Sequence, residues 1–232
     1  MLIGVISKNT ITLKLKPKHK RIMLNLKSLV QGLNGIIPGG ISFLDYSIVA
    51  ETDQISAKEI LNTLVANKIG TLHNNTVNFK QADKLKASLF ALREGAPIEE
   101  VATYLNWKDF EGLVGEILES RGFSVIRNLV LTKPRREIDI IGINHGVAIL
   151  IDCKHWKRQS SSLLRNIVKK QVSRVKHYVA NTEGAIAVPA IVTLFQEQLN
   201  FIDKVPIIPI IQFSSFVDEF YGNLDDLKTI ET

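Results

Sequence analysis

The spacing of apolar residues divides the chain into a largely helical first part and a second part in which helices alternate with strands. Helix-period stripes in the first part predict helices in segments 21–35, 42–51, 55–70, 81–95 and 97–107. Two β-prone runs around Asn74 and Asn75 predict a hairpin. Helices followed by a hairpin are typical of a winged helix, whose second helix would present Lys58 and Lys68 to DNA. The alternative is a small helical domain against which the hairpin packs.

The second part reads as a compact α/β unit. A helical stripe over residues 107–123 is followed by strand patterns at 124–131, 137–143 and 147–155, and by a long helix over 162–179. The apolar runs at 185–195 and 205–213 are typical of strands buried on both faces. The sequence therefore predicts a mixed sheet flanked by helices. The expected organisation has three parts, namely a basic, winged-helix-like α+β DNA-binding domain (1–95), a helical connector (96–106) and the α/β domain (107–232).

Positive charge is concentrated in the first part. The net charge is +6, and residues 1–105 carry 13 Lys and Arg against 8 Asp and Glu. Such asymmetry favours a polyanion such as DNA as partner of the first part, with Lys14, Lys16 and Lys18 among the contacts. The alternative is that these lysines protect an edge strand from aggregation.

Other compositional features restrict the class of protein. Cys153 is the single cysteine, so an intramolecular disulfide and a CxxC metal site are excluded. The first ten residues lack the pattern of a signal peptide, and the apolar run 205–213 is short and interrupted by prolines. These features predict a cytoplasmic protein without a membrane partner.

Three charged residues surround one predicted hairpin. Asp139 lies within the strand over 137–143, and Asp152 and Lys154 lie at the far end of the next strand. The turn between the strands brings them together, and alternation places Asp152 and Lys154 on one face. Two carboxylates suit Mg²⁺, and a nearby lysine can stabilise the charge that develops during phosphodiester hydrolysis. The alternative is a surface hairpin with scattered charges.

These residues carry a family resemblance. The pattern EID…DCK, preceded by the helix LNWKDFEGLVGEILESRGFSV, resembles the PD-(D/E)XK nuclease superfamily, in particular Mrr-type restriction endonuclease domains and archaeal Holliday junction resolvases. The resemblance covers about residues 105–215. It implies a restriction-endonuclease-like fold, Asp139 and Asp152 as Mg²⁺ ligands and Lys154 as the catalytic lysine, with Mn²⁺ able to substitute. Asp152 stands where glutamate is more usual in the family.

Three further residues are candidates for the same site. Glu111 resembles the acidic residue that many family members use as an additional metal ligand, and its alternative role is a solvated helix charge. Glu137 is expected to share a face with Asp139 and to add a ligand, or else to pair with Arg136. Gln171 interrupts an apolar helix stripe, so it needs a polar partner or a site. Mrr-like domains often place a glutamine of this helix beside the active site.

Basic residues follow the predicted centre. His155, Lys157 and Arg158 come directly after Lys154 and are candidate contacts for DNA phosphates. The opposite side of the following helix is also basic, with Arg165, Lys169, Lys170, Arg174 and Lys176. Such helix faces are usually only solvated.

The combined prediction is a Mg²⁺-dependent DNA endonuclease that hydrolyses phosphodiester bonds in restriction or DNA repair. One alternative is a Holliday junction resolvase, which would require a homodimer that the sequence leaves open. The other is a catalytically inactive DNA-binding or structural protein with a nuclease fold.

Overall fold

The computed structural model describes residues 25–156 and 159–231. The candidate DNA contacts Lys14, Lys16, Lys18, Lys157 and Arg158 lie outside these residues. Within them, no helix is both long enough and apolar enough to cross a lipid bilayer.

The first part consists of short helices and a small antiparallel sheet. Its elements are α1 (Leu26–Gln31), a 3₁₀ turn (Gly32–Gly35), β1 (Gly39–Ser42), α2 (Phe43–Val49), α3 (Gln54–Ala66), β2 (Thr71–His73) and β3 (Thr76–Phe79). The strands are ordered β1-β3-β2, and β2 and β3 form the predicted hairpin. Polar caps start the helices: the side chain of Asp53 accepts from the amides of Ile55 and Ser56, both at 2.9 Å.

Two helices, α4 (Asp83–Arg93) and α5 (Ile98–Thr103), join the first part to the second. One side of α4, including Ala87, Phe90 and Ala91, is buried in a core with Leu29, Tyr46, Leu61 and Leu64. Its other side packs Leu85, Leu89 and Leu92 against the core of the second part. The α4 helix therefore belongs to both cores.

The second part is built on a seven-stranded mixed sheet. Its elements are α6 (Trp107–Ser120), β4 (Ser124–Leu131), β5 (Arg136–Asn144), β6 (Val147–Lys154), α7 (Ser161–Ala180), β7 (Ile186–Thr193), β8 (Phe201–Ile202), β9 (Val205–Pro209), α8 (Ile210–Asp218), a 3₁₀ turn (Leu224–Asp226) and β10 (Ile230–Glu231). The order is β4-β5-β6-β7-β9-β8, and β10 pairs with β7. The pairs β6–β7 and β7–β9 are parallel and the others antiparallel.

Helices cover both faces of this sheet. Apolar residues of α6 and α8, such as Phe110 and Phe213, pack with Ile149 and Ile151 on one face. On the other face, α7 packs Val175 and Tyr178 against Leu150 and its neighbours, and Leu164 against Ile191 and Ile207. The predicted α/β fold, a restriction-endonuclease-like mixed sheet flanked by helices, is confirmed.

Several elements differ from the prediction, including the short strands β8 and β10, which were not expected. The Gly/Pro-rich segment 35–40 was expected to be a break and 42–51 a helix, but Gly39–Ser42 form β1, paired with β3. The apolar run 205–213 was expected to be one strand, but β9 ends at Pro209 and the chain continues as α8. The run is apolar at almost every position, and such a pattern has no period that could distinguish a buried strand from a buried helix.

Candidate active site

The site lies where β5 and β6 separate. Their antiparallel ladder runs from the Asn144–Val147 pair to the Ile140–Ile151 pair. Asp139 and Asp152 are the next residues on the two strands. The Oδ2 atom of Asp139 accepts a hydrogen bond of 2.8 Å from the backbone amide of Cys153. A carboxylate of one strand thus binds the backbone of the other at the point where regular pairing ends.

The alternation of side chains along β5 is interrupted at Asp139. Ile140 packs in the core on the α6 side of the sheet, whereas Ile138 and Ile141 pack in the core on the α7 side. In a regular strand Ile138 and Ile140 would share a face. Asp139 therefore lies at the point where the alternation is interrupted. Its acidic neighbours are Glu111 on α6 and Asp152 on β6.

Asp152 is buried and paired with two cations. Its side chain is 2 % exposed, and its Oδ1 atom accepts from the Nζ atom of Lys154 at 2.8 Å and from the Nη1 atom of Arg174 at 3.0 Å. A buried carboxylate needs such partners because ionisation away from water is costly. Lys154 also lies 5.5 Å from the ring centroid of Trp156.

Burial and mutual repulsion raise the pKa values of two acidic groups. Burial raises the pKa of Asp139 to about 6, and the charge of Asp152 adds to the increase. Burial raises the pKa of Glu111 to about 7, and the charges of Asp139 and Glu137 add to it. Burial also raises the pKa of the Cys153 thiol. The acidic groups thus form one interacting cluster that disfavours further negative charge.

Glu111 and Glu137 differ in their surroundings. Glu111 lies on α6 and is 8 % exposed, so it is not a solvated helix charge. Glu137 is exposed near the start of β5. Throughout residues 25–156 and 159–231, no three His, Cys, Asp or Glu side chains are arranged so that they could hold a metal ion. Metal roles for Glu111 and Glu137 remain predictions.

Gln171 is fully buried and links α7 to the site. Its Nε2 atom donates to the backbone carbonyl of Leu150 at 2.8 Å, and its Oε1 atom accepts from Arg174 at 3.3 Å. Arg174 in turn binds Asp152. Gln171 is therefore a polar group of the core that also holds a neighbour of the candidate site.

We expect Gln171→Leu to lower the free energy of unfolding by about 1–2 kcal/mol, because two buried hydrogen bonds are lost and the Leu150 carbonyl loses a donor. Gln171→Glu keeps an acceptor for Arg174 but loses the donor to the Leu150 carbonyl, so it is compared with Gln171→Leu. Chemical denaturation and cleavage assays on both variants separate the two roles. A Gln171→Leu protein with unchanged stability and unchanged activity would show that neither bond matters.

His155 makes a contact that the sequence did not predict. Its Nε2 atom lies 2.9 Å from the backbone oxygen of Ala102 in α5, and its ring packs on Phe110 with a centroid distance of 5.3 Å. Since a carbonyl only accepts, Nε2 carries the proton. His155 thus connects the end of β6 to the connecting helix, and its role as a phosphate contact remains a prediction.

Arg174 is the residue of the site that sequence reasoning did not single out. It was one of several basic residues on α7 and carried no distinguishing pattern. The available signal was its spacing of three residues from Gln171, which places the two side chains on neighbouring positions of one helix surface.

Of the candidate DNA contacts of the first part, Lys58 and Lys68 lie within the described residues, and both are exposed. Lys58 lies on α3 with its Nζ atom 5.8 Å from the ring centroid of Phe43. Lys68 follows the end of α3 in a left-handed conformation with a φ of 62°. Both side chains are accessible to a ligand.

Comparison with known proteins finds a family to which most of the sheet-containing second part is similar. Residues 102–194 match the Mrr_cat family model, described as a restriction endonuclease, which confirms the resemblance seen in the sequence. The matched segment contains Glu111, Asp139, Asp152, Lys154 and Gln171. An uncharacterized protein from Archaeoglobus fulgidus is 29 % identical over 121 residues, covering 50 % of this chain and 93 % of the relative.

Solved structures show more distant likenesses. Protein VC1899 from Vibrio cholerae is 14 % identical, with a TM-score of 0.42, over 88 % of this chain and 52 % of its own. Can2 from Sulfobacillus thermosulfidooxidans, solved in complex with cyclic tetra-adenylate, is 12 % identical, with a TM-score of 0.38, over 85 % of this chain and 50 % of its own. This chain spans about half the length of both structures. The family match, and not these structures, supports a nuclease domain.

Proposed function

We propose that the protein is a Mg²⁺-dependent DNA endonuclease that hydrolyses phosphodiester bonds in restriction or DNA repair. The observation that carries the proposal is the match of residues 102–194 to a restriction endonuclease family over a segment containing Asp139, Asp152 and Lys154. The hydrogen bond between Asp139 and the Cys153 amide, next to Asp152, supports a common site for the two carboxylates.

The donor atoms fit the proposed metal. Mg²⁺ is typically held by one or two carboxylates together with water and substrate phosphate, so Asp139 and Asp152 would suffice. Burial raises the pKa of Asp139 and the charge of Asp152 adds to the increase, so a divalent cation would relieve the repulsion between the two carboxylates. Mn²⁺ accepts the same oxygen ligands and is expected to substitute. Glu111 and Glu137 would add negative charge around it.

Each residue has a role in hydrolysis. When bound, the metal polarises the scissile phosphate and lowers the pKa of an attacking water. The Nζ atom of Lys154 donates to Asp152 at 2.8 Å and would stabilise negative charge that develops on a phosphate bound beside Asp152. In the metal-free protein, burial raises the pKa of Glu111 to about 7, so this carboxyl can exchange a proton near neutral pH before a metal binds. Gln171 fixes α7 against β6 and keeps Arg174 beside the centre.

The test is incubation of the full-length protein with supercoiled, linear, single-stranded and four-way-junction DNA, with Mg²⁺, Mn²⁺ or EDTA. We expect nicking or linearisation with either metal and none with EDTA. Selective cleavage of the junction would favour the resolvase alternative. Undiminished cleavage in EDTA would exclude the metal-dependent mechanism.

We further infer that the first part contacts DNA in the manner of a winged helix. The order of α2, α3 and the β2–β3 hairpin supports this inference, as do the exposed lysines on and after α3. The excess of positive charge in the first part lies in residues 1–24, because residues 25–105 carry 7 Lys and Arg against 8 Asp and Glu, so DNA binding by α3 would rest on individual lysines.

Replacement of Lys58 and Lys68 by alanine should weaken DNA binding and reduce its salt dependence. Each lost phosphate contact lowers the slope of log K against log salt by about 0.9, so the double variant should lose up to about 1.8. Fluorescence anisotropy at several salt concentrations measures the slope. The double variant of Lys108 and Lys204, two exposed lysines of the second part, is the control. Equal slopes for the two double variants would argue against the winged-helix inference.

A further inference from the structure

Asp152 is bound by two cationic side chains at a single oxygen. Two cationic side chains, those of Lys154 and Arg174, donate to the same oxygen, Oδ1, at 2.8 and 3.0 Å. The carboxylate is 2 % exposed, while Lys154 and Arg174 are 21 % and 25 % exposed. Lys154 and Arg174 also interact with the charge of Asp139. A divalent cation that neutralised Asp139 and Asp152 would leave one of these two side chains available for another anion.

Arg174 is held so that it can change partner without leaving the site. Its Nη1 atom makes both described contacts, to Asp152 at 3.0 Å and to Gln171 at 3.3 Å. Within the described residues, its Nε and Nη2 atoms have no protein hydrogen-bond partner. Because a guanidinium presents donors in a planar fork, Nη1 can stay with Gln171 while the remaining donors bind an anion.

We propose that Arg174 exchanges one anionic partner for another when a metal binds. It neutralises Asp152 in the absence of metal and binds a phosphate of the DNA once a divalent cation occupies the Asp139–Asp152 site. The proposal rests on the proposed function, because it requires that site to bind a metal. A divalent cation next to Asp152 repels Arg174, whereas a phosphodiester is the anion that arginine forks bind well.

The proposal predicts opposite effects of one substitution on two ligands. Arg174→Gln removes a cation that competes for Asp152, so divalent metal should bind more tightly in the absence of DNA. The same change removes a phosphate contact, so DNA should bind more weakly. A merely structural arginine would instead weaken both interactions, since its loss would disorder the site.

The experiment titrates the DNA-free full-length protein with Mn²⁺ by isothermal calorimetry and by electron paramagnetic resonance. We expect Arg174→Gln to bind Mn²⁺ about 3- to 10-fold more tightly than the wild type. Arg165→Gln is the matched control, with the same chemical change on the same helix about 13 Å along its axis, beyond the Debye length of about 8 Å. Its metal affinity should stay within about 2-fold of the wild type.

A second measurement uses fluorescence anisotropy of DNA with Ca²⁺ in place of Mg²⁺. We expect Arg174→Gln to bind DNA about 10-fold more weakly. Arg174→Lys keeps the charge without the fork, so its metal affinity should resemble that of the wild type and its DNA affinity should be intermediate. It also provides a folded variant if Arg174→Gln does not fold.

The outcomes distinguish this proposal from the proposed function. If the wild type binds Mn²⁺ and Arg174→Gln binds it equally tightly or more weakly, the proposed exchange of partners by Arg174 is overturned. The proposed nuclease function would still stand. Unchanged DNA affinity would overturn the phosphate contact. A wild-type protein that binds no Mn²⁺ would overturn both proposals.

Discussion

Asp139→Asn, Asp152→Asn and Lys154→Ala should each lower DNA cleavage by about 10³-fold or more, with DNA binding largely retained. The asparagine changes keep the shape of the side chain but remove the anionic oxygen that would hold the metal. The lysine change removes the ammonium that lies 2.8 Å from Asp152 and would stabilise the reacting phosphate. Conversion of supercoiled plasmid under single-turnover conditions measures the rate, and fluorescence anisotropy measures binding.

Asp203→Asn is the control for these variants. Asp203 is exposed, lies at the β8–β9 turn and has a φ of 50°, a conformation that asparagine tolerates. The Asp203→Asn protein should cleave DNA at the same rate as the wild type. If the three site variants kept more than about a tenth of the wild-type rate, the phosphodiester chemistry would have to reside elsewhere on the chain.

Asp139→Asn should also make the metal-free protein more stable at neutral pH. The pKa of Asp139 is raised to about 6 by burial and by Asp152, so its ionisation opposes folding. An increase of about two pKa units from the unfolded value near 3.9 corresponds to about 2–3 kcal/mol. The Oδ1 atom of the asparagine can still accept from the Cys153 amide, so that backbone donor keeps its partner.

The sign of this effect sets its pH dependence. Below about pH 4 the carboxyl is protonated in both folded and unfolded states, so the two proteins should be equally stable. As the pH rises from about 4 to about 6, the wild type should lose stability relative to the variant, and above pH 6 the difference should be constant. Urea denaturation in EDTA at several pH values measures it. A difference that is independent of pH would show that charge is not its cause.

Sequence reasoning identified the parts of the site that depend on strand pattern. Asp139, Asp152 and Lys154 could be assigned to two strands joined by a turn, because alternation and the turn signal are both local. The contacts of Arg174 and His155 could not be assigned, because they join residues that are 22 and 53 positions apart in the chain. The irregularity at Asp139 was also invisible, since it appears only in how Ile138 and Ile140 pack.

The elements of the fold also divide into those with a local sequence pattern and those that depend on contacts between distant residues. Amphipathic helices such as α3, α4, α6 and α7 were predicted from their period. The strand β1 was missed because its glycines suit a turn, and it forms only through pairing with β3. The helix α8 was missed because its first residues, Ile210 and Ile211, continue the apolar run of β9 without a break in the pattern.

The shared position of α4 has a consequence for how this molecule could be recombined. Leu85, Leu89 and Leu92 lie against one core while Ala87, Phe90 and Ala91 lie within the other. A chimaera that joined residues 96–232 to a foreign DNA-binding module would lack α4. The apolar surface of the second part that contacts the three leucines would then be exposed to solvent, and the chimaera would be prone to aggregation. The exchangeable unit therefore begins before Asp83, and the replacement module must itself supply a surface for the opposite side of the transplanted helix.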